Sequence, residues 1–276
     1  MENQLPEQRQ YSLEEVLSIT FNIIKKHWRK FVLICLIVYA PLLVIANLID
    51  KSYLMNLIPK EFMDAFSSSF IAFGGGMNFK DTLNTLIPIY YYSFGIILFG
   101  FIVNFTIAKI VESCAKAEEP SLQAAISASI KKYAVGLVTT IIFGIFMFFL
   151  SLPLFIPAII FAIYWTFFMN AIILRNRWGI DALRYSFNVV RGRWWRVLGF
   201  SIVFGLIGGF AAMVPNQIGQ LFMKIPMLYG VFLLIGYILQ SFSMIAGTVF
   251  FLNLESTSKY LVRTPMGGEI QNLPEI

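Results

Sequence analysis

Long hydrophobic runs alternate with short polar segments along the whole chain. Six runs approach or exceed the roughly 20 apolar residues that a helix needs to cross a bilayer. They lie at about 31–49, 84–109, 134–174 (two crossings that turn near Pro153 and Pro157), 197–215 and 227–252. The short alternating segments of a β-barrel are not seen. The pattern therefore predicts an all-α, polytopic membrane protein with six transmembrane helices.

A second pattern precedes the first crossing and is repeated before the fifth. The segment "TFNIIKKHWRKF" (20–31) aligns with "SFNVVRGRWWRV" (186–197) at an offset of 166 residues. In both copies, apolar residues recur at helical spacing and form one stripe, which comprises Leu17, Phe21, Ile24 and Trp28 in the first copy and Leu183, Phe187, Val190 and Trp194 in the second. Ser12 and Glu15 have the spacing of a capping box, which predicts that the first helix begins there.

A third and weaker copy, "SLQAAISASIKKYAVGL", begins at Ser121. The sequence thus predicts three repeats at about 12–112, 121–174 and 178–252. Each would be an amphipathic interfacial helix followed by a transmembrane hairpin. Together they form a single membrane domain, 12–252, between an N-terminal tail (1–11) and a flexible cytoplasmic tail (253–276).

Composition and charge agree with a membrane location and add an orientation. Hydrophobic residues make up 58% of the chain and charged residues 13%, against about 25% charged in soluble domains. With the N-terminus inside, the predicted inner segments hold five, four, six and two basic residues, which is 17 of the 21 lysines and arginines. The positive-inside rule then predicts a multi-pass protein of the bacterial cytoplasmic membrane with both termini in the cytoplasm.

Basic and aromatic residues cluster at the two copies of the motif, just before a crossing. Tryptophan suits the headgroup level, and cations suit an anionic inner leaflet. We interpret the cluster as a membrane anchor, with selective binding of a lipid headgroup phosphate as an alternative. A nucleic-acid site would need a soluble basic face, so we expect no nucleic-acid partner. The predicted interface residues are Lys25, Lys26, Trp28, Lys30, Arg191, Arg193, Trp194, Trp195 and Arg196.

Groups that commonly carry catalysis or metal binding are scarce. His27 is the only histidine, so a zinc site built on several histidines cannot form. No predicted crossing has an acidic residue in its middle, which disfavours proton-coupled transport. We therefore expect no catalytic residues, cofactor or metal. Asn104, Asn170 and Gln240 lie within crossings and either form interhelical hydrogen bonds or line a cavity.

The stretch "GIDALRYSFNVVRGRWWRVLGF" (179–200) resembles a pattern that precedes a crossing in the glycerophosphoryl diester phosphodiesterase membrane-domain family. That family is represented by bacterial six-helix membrane proteins, some of them fused to a catalytic barrel. Hydropathy extends the resemblance over about 12–255. A barrel needs roughly 250 residues and only a short tail follows the sixth crossing, so the resemblance implies the membrane part without the enzyme.

Three functional hypotheses follow. The first is a non-enzymatic membrane protein that acts through anionic lipids or as a partner subunit in envelope or transport processes. The second is a small transporter, exporter or bacteriocin-immunity protein with a cavity between the hairpins. The third, a lipid-modifying enzyme, lacks visible catalytic groups.

Overall fold

The computed structural model describes residues 9–48, 99–151, 155–222, 225–263 and 270–272. These residues are mostly helical, with one small antiparallel pair of strands. The elements are α1 (Leu13–Leu48), α2 (helical over 99–115), α3 (Leu122–Ser151), α4 (Phe155–Tyr164), α5 (Phe168–Arg175), α6 (Gly179–Val190), α7 (Trp194–Gln220), α8 (Pro226–Ser256), β1 (Leu261–Arg263) and β2 (Ile270–Asn272). The predicted capping box forms: the Ser12 N–H donates to Glu15 Oε2 at 2.8 Å, and the Glu15 N–H donates to Ser12 Oγ at 3.2 Å.

Within the described ranges, four helical stretches are long and apolar enough to cross a membrane. They are Leu122–Ser151, Ile156–Arg175, Trp194–Leu221 and Met227–Ser256. They confirm the last four predicted crossings as membrane-capable helices. Large apolar side chains such as Phe148 and Phe210 are exposed on α3 and α7, as expected where lipid is the solvent. The predicted crossings 31–49 and 84–109 extend into residues outside the described ranges.

The fourth predicted crossing is not one continuous helix. The turn at 165–167 separates α4 from α5. Ser186 of α6 satisfies the backbone groups that the turn frees: its hydroxyl accepts from the Phe167 N–H at 3.1 Å and donates to the Tyr164 carbonyl at 2.8 Å. A broken helix is tolerated at membrane depth only when neighbouring groups replace its lost hydrogen bonds.

The two strong copies of the motif share a backbone break at aligned positions. His27 interrupts α1 with φ −122° and ψ 19°, and Arg193 precedes α7 with φ −136° and ψ 22°. Both breaks separate the amphipathic segment from the apolar run that follows it. The weaker third copy differs, since α3 runs without such a break from Leu122 to Ser151.

The two apolar stripes do not share one environment. In the first copy Phe21 and Trp28 are exposed, and the buried face of α1 includes Val16 and Thr20 instead. In the second copy Leu183 and Val190 are buried, because α6 packs against α3, α5 and α8. The α6 segment is therefore part of the packed bundle, whereas in the first copy Leu17 and Ile24 pack partly against the core and Phe21 and Trp28 stay exposed.

Helices α7 and α8 pack closely, and α1 packs on α8. The sixth helix continues past the predicted boundary at Asn253: α8 ends at Ser256, and residues 253–255 are buried. The predicted N-terminal tail also differs at its end. Tyr11 is buried, and its N–H donates to Asn253 Oδ1 at 3.0 Å while Asn253 Nδ2 donates to the Arg9 carbonyl at 2.9 Å.

Candidate membrane-interface site

A buried ion network joins the ends of three helices. Arg175, the last residue of α5, donates through Nε and one terminal nitrogen to both oxygens of Glu255 in α8, at 2.6 Å each. Its other terminal nitrogen donates to Glu112 Oε1 at 2.8 Å. Lys109 Nζ donates to Glu112 Oε2 at 2.9 Å, and the Tyr185 hydroxyl donates to Glu255 Oε1. Both carboxylates are thus paired by cations and shielded from solvent.

The network shifts the titration of its members outside the crossings. Burial alone would raise the pKa of Glu112, but hydrogen bonds and charges from Lys109 and Arg175 lower it below its usual value. Burial raises the pKa of the Tyr185 hydroxyl, and the charge of Glu255 raises it further. Glu112 therefore stays ionised, Tyr185 stays protonated, and the network keeps its ion pairs at neutral pH.

Other contacts bring further helix termini to the same end of the bundle. Lys30 of α1 donates to the Pro120 carbonyl, at 2.7 Å, in the link between α2 and α3. Arg193, just before α7, donates to the Leu254 carbonyl at 2.8 Å. We call this the charged end: α2, α5 and α8 finish there, and α3 and α7 begin there. The predicted inner segments meet at it.

Five of the nine predicted interface residues are exposed at the charged end. Trp28 is 52% exposed and Trp195 is 79% exposed. The guanidinium of Arg29 lies 5.6 Å from the Trp28 ring centroid, and that of Arg191 lies 4.9 Å from the Tyr260 ring centroid. The exposed set is Lys25, Lys26, Trp28, Arg191 and Trp195.

The other four predicted interface residues contact the protein itself. Lys30 bonds to Pro120 as described, and Trp194 Nε1 donates to the Ile160 carbonyl at 3.1 Å. Arg193 donates to Thr257 Oγ1 at 2.7 Å and to the Val189 and Leu254 carbonyls at 2.8 Å each. It thereby caps the last carbonyls of α6 and α8. Arg196 donates to the side chain of Gln10 and to the Tyr11 carbonyl.

Two exposed apolar residues of this surface were missed by the sequence reasoning. Trp178 is 67% exposed and Ile180 is 59% exposed, on either side of Gly179, whose positive φ of 55° turns the chain into α6. The signal was available: Trp178 follows Arg177 directly, as Trp194 follows Arg193 in the second copy of the motif. Trp178 falls before the amphipathic stripe, so periodicity did not select it.

The polar residues within the crossings have three different environments. Asn170 is buried, and its amide donates to Thr248 Oγ1 at 3.4 Å. Asn104 is half-buried and Gln240 is exposed. None of the three lines the two pockets described for this chain: an apolar groove of about 490 Å³ between α3 and α4, and a polar cleft of about 440 Å³ beside α7. A shared transport cavity stays a prediction.

In the part of the chain that the structure describes, no three His, Cys, Asp or Glu side chains are grouped to hold a metal ion. The network at Arg175 holds only two carboxylates, and both accept from cations. The expectation of a metal-free protein without a cofactor stays a prediction.

A family model described as a domain of unknown function (DUF7847) matches residues 83–255. The chain belongs to the DUF7847 family. The DUF7847 match includes the described helices from α2 to Glu255 of α8 and leaves α1 outside. No curated protein and no solved structure matches the chain. The resemblance to the glycerophosphoryl diester phosphodiesterase membrane-domain family stays a prediction.

The residues of the charged end come partly from the DUF7847 region and partly from α1, which lies outside it. Glu112, Arg175, Tyr185 and Glu255 all fall within the DUF7847 region, so the ion network belongs to that domain alone. The first copy of the motif comes from α1, outside it. The exposed surface is therefore shared between the DUF7847 domain and the N-terminal helix.

Proposed function

We propose that this chain is a non-enzymatic protein of the bacterial cytoplasmic membrane with six crossings and cytoplasmic termini. It acts through contacts with anionic lipids or as a membrane partner subunit. The observation that carries the proposal is the exposed surface at the charged end, where exposed tryptophans and exposed basic side chains lie beside apolar helices. Interfacial tryptophan and cations near an anionic leaflet are each favourable, the cations by about 1 kcal/mol apiece.

Three further observations support the proposal. The helix ends gathered at the charged end are those that a six-crossing topology assigns to one side of the membrane. The breaks at His27 and Arg193 support duplication of the first and third units. The carboxylates of the described network, Glu112 and Glu255, are bound to Arg175, so neither is free to act as a general acid or base.

Photocrosslinking tests the headgroup contact. The protein is reconstituted in bilayers that contain phosphatidylglycerol with a photoreactive group on its headgroup. We expect adducts on the segments around Trp28 and Trp195. A matched lipid that carries the group at the acyl terminus should label exposed apolar positions such as Phe210 instead.

A second measurement tests the preference for charge. Nanodiscs of mixed phosphatidylglycerol and phosphatidylcholine should yield protein that retains the anionic lipid above its bulk fraction. Equal retention of both lipids, together with headgroup adducts scattered along the crossings, would refute a role that depends on lipid headgroups.

A further inference from the structure

The polar cleft beside α7 has a charged wall and an apolar wall. It has a volume of about 440 Å³ and lies between the segment that precedes α1 and the first turn of α7. Its polar side is lined by Arg9, Gln10, Ser12, Arg196 and the carboxylate of Glu15, and its apolar side by Leu13 and Phe200. Arg196 and Phe200 are four residues apart, about 6 Å along α7. The cleft therefore leads from a cation at the charged end towards the apolar length of a membrane-capable helix.

The positive charge of Arg196 is not balanced within the cleft. Arg9 pairs with Glu15 at 2.6 Å, and Glu15 also accepts the Ser12 N–H. Arg196 donates to neutral oxygens, on Gln10 and Tyr11. Its guanidinium also lies 5.3 Å from the Phe200 ring centroid and 5.7 Å from that of Phe250, and neither ring carries a net charge. Over the described ranges, no carboxylate lies within 4.0 Å of its guanidinium.

Arg193 adds a second unbalanced cation on the same turn. Its partners are a hydroxyl and two carbonyls. Burial first, and then the nearby charge of Arg196, lower the pKa of Arg193 to about 10, while Tyr260 opposes this shift. Arg175 shows the contrast, because two carboxylates neutralise it. Arg193 does not line the cleft, but its charge adds to the positive potential around Arg196. Arg196, partly buried and hydrogen-bonded to neutral oxygens, makes a site that an anion from outside would complete.

We propose that this cleft binds a phosphate anion, with Arg196 as its main ligand and Arg9 at its rim. The planar guanidinium matches phosphate oxygens in pairs, which makes arginine the usual residue for this task. The phosphate comes from a phospholipid headgroup or from solution. The Phe200 wall favours the lipid, because it would lie against the first methylenes. This inference rests on the proposed function, since it needs the charged end to lie at the headgroup layer.

The sharpest variant is Gln10→Glu, which supplies the missing negative charge from within the chain. A carboxylate at position 10 keeps the acceptor for Arg196 and competes with the phosphate. The matched control is Gln123→Glu, which makes the same charge change at an exposed residue near the start of α3. Native mass spectrometry of detergent-solubilised protein titrated with phosphatidylglycerol measures the affinity. We expect Gln10→Glu to weaken binding about tenfold, the size of one charge-assisted hydrogen bond, and the control to bind as the wild type does.

A second variant, Arg196→Lys, tests the inference if Gln10→Glu does not fold. Arg196→Lys keeps the charge but loses the planar fork, so we expect affinity between that of the wild type and that of Gln10→Glu. Helix content by circular dichroism establishes that each protein is intact.

The remaining arms identify the source of the phosphate. If millimolar inorganic phosphate displaces phosphatidylglycerol from the wild type, the cleft takes the free anion; if it does not, the lipid is the ligand. Equal affinities for Gln10→Glu and Gln123→Glu would overturn this inference while leaving the proposed function intact. If the wild type shows no preference for phosphatidylglycerol over phosphatidylcholine and does not bind inorganic phosphate, both this inference and the proposed function are refuted.

Discussion

At the scale of single residues, three partly buried arginines play different parts because their acceptors differ. Arg175 is held by two carboxylates, whereas Arg193 and Arg196 are held by neutral oxygens. Carboxylates neutralise the charge of the guanidinium that they pair with, so Arg175 serves to link helices. A guanidinium that donates only to neutral oxygens keeps its net charge, which a ligand or the membrane surface can then neutralise.

Removing Arg175 tests this link between helices. Arg175→Gln leaves Glu112 and Glu255 buried and short of their main cation, and breaking a buried pair in this way costs about 3–5 kcal/mol. Lys116→Gln is the matched control, since Lys116 also pairs with Glu112 but is exposed, with a nitrogen–oxygen distance of 3.5 Å. Exposed pairs contribute about 0–1 kcal/mol. Unfolding followed by circular dichroism in a detergent–SDS titration measures both, and equal losses would contradict the assignment.

At the scale of elements, the pairing of α7 with α8 depends on which face of α7 carries each glycine. A Cβ at Gly208 would overlap Ser243 Oγ, which donates to the Phe204 carbonyl at 2.6 Å. A Cβ at Gly209 would meet nothing within 4 Å. One glycine therefore serves the contact between the helices, and its neighbour lies on the open face.

This difference predicts opposite outcomes for adjacent substitutions. Gly208→Ala should destabilise the protein by about 1–3 kcal/mol, as overpacking does, because Ser243 must give up its hydrogen bond. Gly209→Ala should cause no loss, since alanine favours a helix and meets no neighbour. The midpoint of SDS unfolding reports both. A larger loss of stability in Gly209→Ala than in Gly208→Ala would contradict this prediction, because it would mean that α8 packs on the Gly209 face of α7.

The break in α1 makes a second prediction at this scale. His27 is largely buried, and burial, followed by the charges of Lys30 and Lys26, lowers its pKa below 6.5, while Glu119 opposes this shift. The neutral imidazole is thus favoured in the fold, so its contribution is complete above pH 6.5, the unfolded value, and is lost as the pH falls towards the folded value. Thermal unfolding should shift to lower temperature over that window. His27→Gln should make the unfolding temperature depend less on pH in that window. If the pH dependence is the same in the variant as in the wild type, His27 is not its cause.

At the scale of the whole molecule, hydropathy predicted the positions of the last four crossings because each run is long and continuous. It could not predict the ion network, whose partners are 63 and 80 residues apart in sequence and look like isolated charges near helix ends. The turn at 165–167 was not predicted for the same reason: the Ser186 hydroxyl, which accepts from the Phe167 N–H, belongs to another helix. The two motif copies look alike in sequence, yet tertiary packing buries the second stripe more completely than the first. The exposure of Lys25, Lys26, Trp28 and Trp195 was predictable, because exposure needs no partner.

Orientation is the property of the whole molecule on which the proposed function depends, and native thiols make it measurable. Cys35 is fully buried, and burial raises the pKa of the Cys114 thiol to about 11. A maleimide at neutral pH reacts with the thiolate, so the wild-type chain should label slowly. Arg191→Cys adds an exposed thiol at the charged end. With this end in the cytoplasm, an impermeant maleimide should label that variant only after the cells are permeabilised.

Lys60→Cys is the matched control. Position 60 lies outside the described residues, and the positive-inside count assigns it to the outer segment, so its thiol should label in intact cells. Labelling of Arg191→Cys in intact cells, with Lys60→Cys protected, would invert the topology. The basic and tryptophan-rich end would then meet the outer leaflet, and the cytoplasmic anionic surface could no longer attract it.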